Sequence, residues 1–338
     1  MAAQQRILTG MRPTGQLHLG HYLGALENWI QLQHEYECFF LIADYQAMGD
    51  HLDDIGLIQR SVLDVATDWL AVGIDPEESS FVIQSYVPEH AELTMFLSML
   101  TPLNQHQKNP TLRAEIGQLE SENQSVTLGF FNYPLSQVAD ILLPKAHLVP
   151  VGEDQVAHIE YTRDIARRFN RIYGEVFPMP RARVGRVPRL VGTDGRAKMS
   201  KSLNNAVYLA DDPDTVKQRV RRMVTDTTGE NPRLRPTDPG VVEYNPAFLY
   251  HDAFNDDADE VAELKERYTA GTVSDVEVKD RLSDALNRFL EPIRERRSWY
   301  AEHPDYVRDV LLAGTGRERV IARQTIEDVR QAMQVMYA

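Results

Sequence analysis

The sequence predicts an α/β fold, with a doubly wound parallel sheet in the first half of the chain and an all-helical region after it. Up to about residue 180, short apolar runs alternate with longer amphipathic stretches. Strands that alternate with helices of this length form a parallel sheet with helices on both faces. Beyond about residue 211 the periodicity is mostly helical. In a sheet of this kind, ligands bind at the carboxyl ends of the strands.

Each predicted element follows from a local pattern. Apolar runs predict strands over residues 6–9, 38–43, 81–84 and 148–151. Amphipathic stretches predict helices over about 20–36, 58–72, 90–100 and 154–169, and later over 214–224, 257–268, 274–302 and 316–336. Repeated arginine, proline and glycine predict an irregular linker over residues 181–195.

The composition is typical of a globular protein. Hydrophobic residues make up 43% of the 338 and charged residues 25%, which argues against disorder. The first residues contain no apolar stretch of the kind a signal peptide needs, and the longest dense apolar run, 38–43, is too short to cross a membrane. The single cysteine, Cys38, permits no internal disulfide and lies far from His18 and His21 in sequence, so no metal site made of side chains is expected. We therefore expect a cytoplasmic protein without a membrane partner.

The distribution of charge allows a polyanion to bind, although the net charge of −14 argues against one. Residues 161–202 contain nine arginines and two lysines against three acidic residues. Smaller basic clusters follow at residues 217–222 and 294–297. Each cluster alone is compatible with a solvated helix face, so the charges permit a nucleic-acid partner without establishing one.

A glycine-containing segment between the first strand and the first long helix carries two histidines. It reads GMRPTGQLHLGH, from Gly10 to His21. At the carboxyl end of a strand, backbone N–H groups and the positive end of the next helix form an anion site. Imidazoles can donate hydrogen bonds to phosphate oxygens, and Gly20 between them lets a flat base approach the backbone. The His-x-Gly-His pattern alone is a weak signal.

A second motif, K-M-S-K-S, occupies residues 198–202 and follows a glycine-bounded turn at residues 192–195. Two lysines and two hydroxyl groups within five residues, on a loop that glycines allow to hinge, can close on a triphosphate. A five-residue match is far more specific than the first motif. Together, and in this order, the motifs favour a nucleotide site over a solvated basic loop.

The two motifs resemble the signature pair of the class I aminoacyl-tRNA synthetases, and the chain resembles the bacterial tryptophanyl-tRNA synthetases in particular. Supporting stretches are LQHEY at residues 32–36, AVGIDP at 71–76, ADILL at 139–143, VPVGEDQ at 149–155 and TRDIARRFN at 162–170. The resemblance implies a Rossmann-like catalytic domain over residues 1–180, a linker with the K-M-S-K-S loop over 181–207, and a helical anticodon-binding domain over 208–338. It also implies that the last helix packs back on the first domain and that the protein is a homodimer.

The resemblance implies an activity and a set of site residues. L-Tryptophan would react with ATP to give tryptophanyl-adenylate and pyrophosphate, and would then be transferred to tRNA-Trp. The catalytic residues would hold phosphates, with Mg²⁺ bound through those phosphates and not through side chains: His18, His21, Lys198 and Lys201. The other ATP-binding residues would be Arg12, Pro13, Thr14, Gly20, Gly152, Glu153, Asp154, Val187, Met199, Ser200 and Ser202. The amino acid would be bound by Leu8, Gly10, Tyr133, Gln137, Asp140 and Gln155.

The choice between tryptophan and tyrosine depends on a few positions. Tyr133, Gln137 and Asp140 are spaced as in the tyrosine enzymes and share one face of a helix. That face could bind an indole N–H or a phenol O–H. A tyrosine enzyme would carry tyrosine in place of Leu8, whose apolar side chain cannot bind a hydroxyl group. We therefore predict tryptophan, with Asp140 accepting the indole N–H, because indole is a donor only. A tyrosine–tRNA ligase is the alternative.

Four residues near the expected site depart from the family pattern. Leu8 replaces phenylalanine, Arg12 replaces glutamine, Gln46 lies where Asp-x-His-Ala is usual, and Gln137 replaces methionine. These departures suggest a divergent, auxiliary form of the enzyme. Two other classes stay open: a small-molecule nucleotidylyltransferase, which needs neither K-M-S-K-S nor a helical C-terminal domain, and a non-charging paralogue with a binding or regulatory role. The intact histidines and lysines of the two motifs count against the paralogue.

Overall fold

One parallel sheet organises the first half of the chain. The structure is a computed structural model that describes residues 4–50, 54–121, 123–152, 155–184, 190–195, 197–201, 203–227, 235 and 237–337. Its strands are β1 (Arg6–Met11), β2 (Glu37–Ile42), β3 (Ser79–Ile83), β4 (Leu148–Val151) and β5 (Arg181–Val184). They pair in the order β3-β2-β1-β4-β5, every pair parallel. The predicted doubly wound parallel sheet is confirmed, and its order reverses between β1 and β4.

The prediction of an irregular linker was wrong for residues 181–184. These residues form β5, which pairs with β4 from Leu148↔Arg181 to Val151↔Val184. β5 is an edge strand. Ala182 packs against the apolar core while Val184 is exposed, so the segment lacks the continuous apolar run that marks a buried parallel strand. Residues 185–189 of the predicted linker lie outside the described ranges.

The helices follow most of the predicted periodicity. They are α1 (Leu19–His21), α2 (Glu27–Leu32), α3 (Asp44–Asp50), α4 (Ile55–Val72), α5 (Glu89–Leu100), α6 (Leu103–His106), α7 (Pro110–Ser121), α8 (Leu128–Leu142), α9 (Val156–Tyr173), α10 (Pro213–Arg221), α11 (Pro246–Phe254), α12 (Ala258–Thr269), α13 (Asp275–Glu302) and α14 (Pro304–Ala332). The helix predicted over residues 20–36 is interrupted, since a π-helical segment, Tyr22–Leu26, separates α1 from α2. The last helix begins at Pro304 and not near residue 316.

Contacts divide the chain into two compact units. The first comprises Met1–Gly15, Trp29–Arg186 and His303–Ala338, and the second comprises Gln16–Asn28 and Val187–Glu302. The predicted domains were residues 1–180 and 208–338, with the last helix packing back on the first domain. Residues 16–28 group with the second unit, and α14 groups with the sheet.

An aromatic cluster fills part of the core of the first unit. The Trp29 ring stacks on Phe40 with centroids 4.8 Å apart, and it meets Trp69 edge-on at 5.5 Å. Trp69 in turn meets Phe81 at 5.5 Å. All four rings are at most 2% exposed, so this cluster ties β2 and β3 to the helices α2 and α4.

Helix α14 covers β3, the edge strand of the sheet on the other side from β5. Gly314 lies against the strand so closely that an added Cβ would be 2.3 Å from the carbonyl oxygen of Phe81. The backbone N–H of Ile83 donates to Oγ1 of Thr315 at 3.1 Å. Arg317 donates to the carbonyl oxygen of Ser79 at 2.8 Å. Backbone groups that an edge strand leaves open are thus bound by side chains of the helix.

The second unit has its own apolar core. The rings of Phe248 and Tyr268 meet at 4.9 Å, and those of Tyr22 and Phe289 also meet at 4.9 Å. The first pair joins α11 to α12, and the second joins the π-helical segment to α13. Residues 16–28 are therefore packed into the second unit by their side chains, although they precede most of the first unit in sequence.

Candidate active site

The point where the strand order reverses lies in the first unit. Leu8, in the middle of β1, is 4% exposed. Thr9 donates from Oγ1 to the carbonyl oxygen of Pro150 at 3.5 Å, which connects β1 to β4. A Cβ added at Gly10 would lie 2.2 Å from the carbonyl oxygen of Leu41, so β2 leaves no room for a side chain there. Beyond β1, Arg12 is exposed, Pro13 is buried, and the N–H of Thr14 donates to the Arg12 carbonyl at 3.0 Å.

Asp140 is a buried carboxylate near the end of α8, only 2% exposed. Its Oδ2 accepts a hydrogen bond from Nε2 of Gln46 at 2.8 Å, and its Oδ1 accepts one from Nε2 of Gln84, also at 2.8 Å. A carboxylate offers about four lone-pair positions. These two donors therefore fix the orientation of Asp140 and leave room for a further donor.

His90 lies between two buried carboxylates. Its Nδ1 is 3.0 Å from Oδ1 of Asp140, and its Nε2 is 3.4 Å from Oε1 of Glu318 on α14. Burial alone would lower the pKa of His90, but the charges of Glu318 and Asp140 outweigh it and raise the pKa to about 10. The two carboxylates therefore favour the protonated form of His90.

The remaining predicted amino-acid-binding residues are also in the first unit. Tyr133 and Gln137 are half-buried on α8, the helix that carries Asp140. The ring centroids of Tyr133 and His158 are 6.2 Å apart. Gln155 precedes α9, and its N–H donates to the carbonyl oxygen of Gly152 at 3.0 Å.

His18 and His21 are packed against each other in the second unit. Their rings stack with centroids 3.7 Å apart, and the N–H of His18 donates to Nδ1 of His21 at 3.1 Å. His18 is 4% exposed, and its Nδ1 has no hydrogen-bond partner among the described residues. A backbone bond from Leu19 N–H to the carbonyl oxygen of Val207, at 2.9 Å, fixes the start of α1.

Both histidines are neutral at physiological pH. Burial, followed by the charges of Lys201 and Lys198, lowers the pKa of His18 to about 4. Burial, then His18 and the same two lysines, lowers the pKa of His21 well below its usual 6.5. Neutral imidazoles can each donate one hydrogen bond, while the lysines supply positive charge, a combination suited to an anion.

The two sequence motifs meet at Gly20. A Cβ added to Gly20 would lie 3.0 Å from Nδ1 of His18 and 3.4 Å from Cβ of Met199. Met199 is buried, whereas Lys198 beside it is exposed. The structure thus brings the histidines and residues 198–201 of the K-M-S-K-S segment together within the second unit.

Asn205 holds the K-M-S-K-S segment in shape, and no sequence motif indicated this residue. Its Oδ1 accepts from the N–H of Ser200 at 2.7 Å, and its Nδ2 donates to Oδ1 of Asp194 at 3.1 Å and to the Lys198 carbonyl at 3.4 Å. It is 2% exposed. Gly192 makes room for it, because a Cβ there would be 2.2 Å from Nδ2 of Asn205.

Four predicted site residues lie outside the described residues: Glu153, Asp154, Val187 and Ser202. In the part of the chain that is described, no group of three or more histidine, cysteine, aspartate or glutamate side chains could hold a metal ion. No helix among those residues is both long enough and apolar enough to span a membrane.

Comparison with known proteins gives the family. Residues 2–291 match the family described as tRNA synthetases class I (W and Y). The chain therefore belongs to the class I tRNA synthetases of the tryptophan and tyrosine group, the class that the two motifs predicted.

Relatives with a described activity cover nearly the whole chain. It is 49% identical over 330 residues to the tryptophan–tRNA ligase of Treponema pallidum, which covers 97% of this chain and 96% of that one. It is 45% identical over 339 residues to the ligase of Chlamydia caviae, with 99% and 97% covered. The fold is similar to the crystal structure of tryptophanyl-tRNA synthetase from Campylobacter jejuni complexed with ADP and tryptophan. That match has a TM-score of 0.86 and 34% identity, and covers 98% of this chain and 100% of that chain.

Proposed function

We propose that the protein is a tryptophan–tRNA ligase, which activates L-tryptophan with ATP and then transfers it to tRNA-Trp. The observation that carries the proposal is the buried carboxylate of Asp140, oriented by Gln46 and Gln84. A carboxylate accepts hydrogen bonds, and the indole N–H can only donate one. The tryptophan–tRNA ligases at 45–49% identity over nearly the whole chain support the same activity.

Tyrosine is the second candidate, because a phenol O–H can also donate to Asp140. Leu8 favours tryptophan: it is buried and apolar, so it offers a wall for a large ring and no partner for a hydroxyl oxygen. A polar group buried without its partner costs about 1–3 kcal/mol. Tyr133 and Gln155 would bind the ammonium group, and Gly10 and Gln137 would line the rest of the pocket.

In the first step, a carboxylate oxygen of tryptophan attacks the α-phosphorus of ATP. A new P–O bond forms to tryptophan, the bond to the bridging oxygen breaks, and pyrophosphate leaves. His18 and His21 donate N–H groups to phosphate oxygens, and Lys198 and Lys201 offset the charge that develops there. The free Nδ1 of the buried His18 supports a role in ligand binding.

The rest of the nucleotide is bound by short segments around the two motifs. Gly20 leaves room for the base, and Met199 and Ser200 shape the loop that contacts the phosphates. The proposed nucleotide set also includes Arg12, Pro13, Thr14, Gly152, Glu153, Asp154, Val187 and Ser202. Mg²⁺ would be held by the phosphate oxygens, and it would supply positive charge to the leaving pyrophosphate.

In the second step, the 2′-hydroxyl of the terminal ribose of tRNA attacks the carbonyl carbon of the adenylate, and AMP leaves. The basic stretch over residues 161–202 supports a nucleic-acid partner despite the net charge of −14. We also propose a cytoplasmic homodimer. Large apolar side chains exposed on α5, α6 and α8 support a protein interface, namely Met95 (59% exposed), Met99 (62%), Leu103 (62%) and Leu128 (86%).

Amino-acid-dependent ATP–pyrophosphate exchange tests the proposal. Wild-type protein should exchange with tryptophan and far less with tyrosine. Asp140→Asn should lower kcat/KM for tryptophan about 10- to 100-fold, because a hydrogen bond to a charged group contributes about 1.5–3 kcal/mol. Asp164→Asn is the matched control, since Asp164 forms an exposed ion pair with Arg167, and such pairs contribute little.

Each of the other outcomes would support a different function. Exchange with tyrosine alone would make the protein a tyrosine–tRNA ligase. Exchange with neither amino acid would favour the non-charging paralogue. If exchange with tryptophan occurs, attachment of radiolabelled tryptophan to tRNA-Trp is the next measurement, and its absence would contradict the ligase activity.

A further inference from the structure

Glu318 is a buried carboxylate that the proposed reaction does not use. It lies on α14 and is 0% exposed. Neither of its carboxylate oxygens has a hydrogen-bond partner of good geometry among the described residues, but Oε1 is 3.4 Å from Nε2 of His90. Burying a charge costs free energy unless an opposite charge compensates it. Its ion-pair partner is therefore His90.

Several contacts between α14 and β3 do not involve this charge. The helix is already fixed on β3 by the close approach of Gly314, by Thr315 and by Arg317. Apolar residues at positions 90 and 318 together would complete such an interface without desolvating charges, because a whole buried ion pair can often be replaced by apolar residues at no loss of stability. The presence of a carboxylate at position 318 therefore points to a role for Glu318 in fixing His90, the side chain that it contacts.

That group is a line of three ionisable side chains from Asp140 through His90 to Glu318. One ring nitrogen of His90 faces each carboxylate, at 3.0 and 3.4 Å. A neutral imidazole carries a single N–H, so its other nitrogen would direct a lone pair at a carboxylate oxygen. Only the doubly protonated ring carries a positive charge between the two carboxylates. Neither ring nitrogen forms a hydrogen bond of good geometry with them, so the contacts are ion pairs. The raised pKa of His90, about 10, agrees with this protonation state.

Resting on the proposed function, we infer that Glu318 is a positioning residue for tryptophan recognition, because it holds the protonated His90 beside Asp140. With Glu318 charged, the ring of His90 is fixed from both sides and stays protonated. Asp140 is then held by the hydrogen bonds from Gln46 and Gln84 and by the ion pair with His90. Without the charge of Glu318, His90 loses its proton more readily and the charged group beside Asp140 is lost. The C-terminal helix thereby takes part in selecting the amino acid.

The test compares Glu318→Gln, which keeps the shape and removes the charge, with the wild type. In pyrophosphate exchange we expect kcat/KM for tryptophan to fall about tenfold while KM for ATP stays the same. The preference for tryptophan over its benzothiophene isostere, in which sulfur replaces the N–H group, should fall by a similar factor. Thr325→Val is the matched control, because Thr325 is buried on the same helix and outside the proposed machinery.

A double-variant cycle separates positioning from a loss of folding. If Glu318 acts through Asp140, Glu318→Gln should have little further effect on the tryptophan preference in an Asp140→Asn background. Additive effects, or a Glu318→Gln variant that is less stable but keeps the wild-type preference and KM for tryptophan, would overturn the inference. A wild type that fails to exchange with tryptophan would instead overturn the proposed function.

Nuclear magnetic resonance of the ring nitrogens gives a readout that needs no substrate, and its first measurement needs only the wild-type protein. In wild-type protein at pH 8, His90 should give the signature of an imidazolium, and in Glu318→Gln it should lose its proton at lower pH. A neutral His90 in the wild type at pH 8 would contradict the inference even if Glu318→Gln did not fold.

Discussion

The side chain of Asn205 accepts a hydrogen bond from the backbone N–H of Ser200 at 2.7 Å. The same amide reaches Asp194 and the carbonyl oxygen of Lys198, so one buried side chain connects the turn before the K-M-S-K-S segment to the segment itself. The lysines of this loop are exposed or half-exposed, whereas its backbone is held from inside the unit. Asn205 thus fixes the backbone from which the lysines extend.

Replacing Asn205 should impair the binding of ATP. In Asn205→Ala the loop loses three hydrogen bonds, so the lysines are less often in the right position. We expect KM for ATP to rise and kcat in pyrophosphate exchange to fall, together about 10- to 100-fold, because small displacements of positioning groups have effects of this size. Asn204→Gly is the matched control: Asn204 is exposed with φ +49°, which glycine adopts without strain. Equal activities of the two variants would contradict this role of Asn205.

The stability of the protein should fall in mild acid partly because of His18. Burial and two lysines lower its pKa from 6.5 to about 4. Between those values the unfolded chain binds a proton at this residue and the folded chain does not, so stability decreases as the pH falls from about 6.5 toward 4. Above pH 6.5 the residue is neutral in both states and has no effect. His18→Gln should therefore lose less stability between pH 7 and pH 5 than the wild type, measured by urea unfolding. Parallel stability curves would exclude this contribution.

Two glycines on α14 should respond to alanine in opposite ways. A Cβ at Gly314 would lie 2.3 Å from the carbonyl oxygen of Phe81, while one at Gly316 would meet nothing within 4 Å. Gly314→Ala must displace the helix from β3, so we expect destabilisation of about 1–3 kcal/mol or more. Gly316→Ala should be neutral or stabilising by up to about 1 kcal/mol, because alanine favours the helix. Thermal and urea unfolding of the two variants would measure this, and a similar loss in both would be inconsistent with close packing at Gly314.

Patterns of apolar and polar residues predicted four of the five described strands and the fold class. The apolar runs of β1 to β4 are buried on the sheet, and the predicted fold class followed from their alternation with helices. β5 was missed because an edge strand needs few apolar side chains. The start of α14 was predicted twelve residues late. Glycines such as Gly314 and Gly316 disfavour a helix interior, but Gly314 lies inside α14, where its lack of a side chain allows the close approach to Phe81.

Some residues of the candidate site could be predicted from local patterns, and others could not. His18, His21, Lys198 and Lys201 were predicted because they belong to short motifs of recognisable spacing. Glu318 could not be predicted, since its contact with His90 joins two helices that are more than 220 residues apart in sequence. Gln84 could not be predicted for the same reason. It follows β3 but is part of no recognisable motif, and it contacts Asp140 only in the folded chain. Contacts of this kind depend on the tertiary structure and leave no local pattern.

The cover that α14 provides for β3 has a consequence for synthesis of the protein. All five strands are translated by residue 184, but the helix that binds Ile83 and covers Phe81 is made only after the larger segment of the second unit, Val187–Glu302. At about 5–20 residues per second, that interval lasts roughly 6 to 23 seconds. During this time β3 lacks the helix that covers it in the folded chain, and an uncovered edge strand can pair with a strand of another chain.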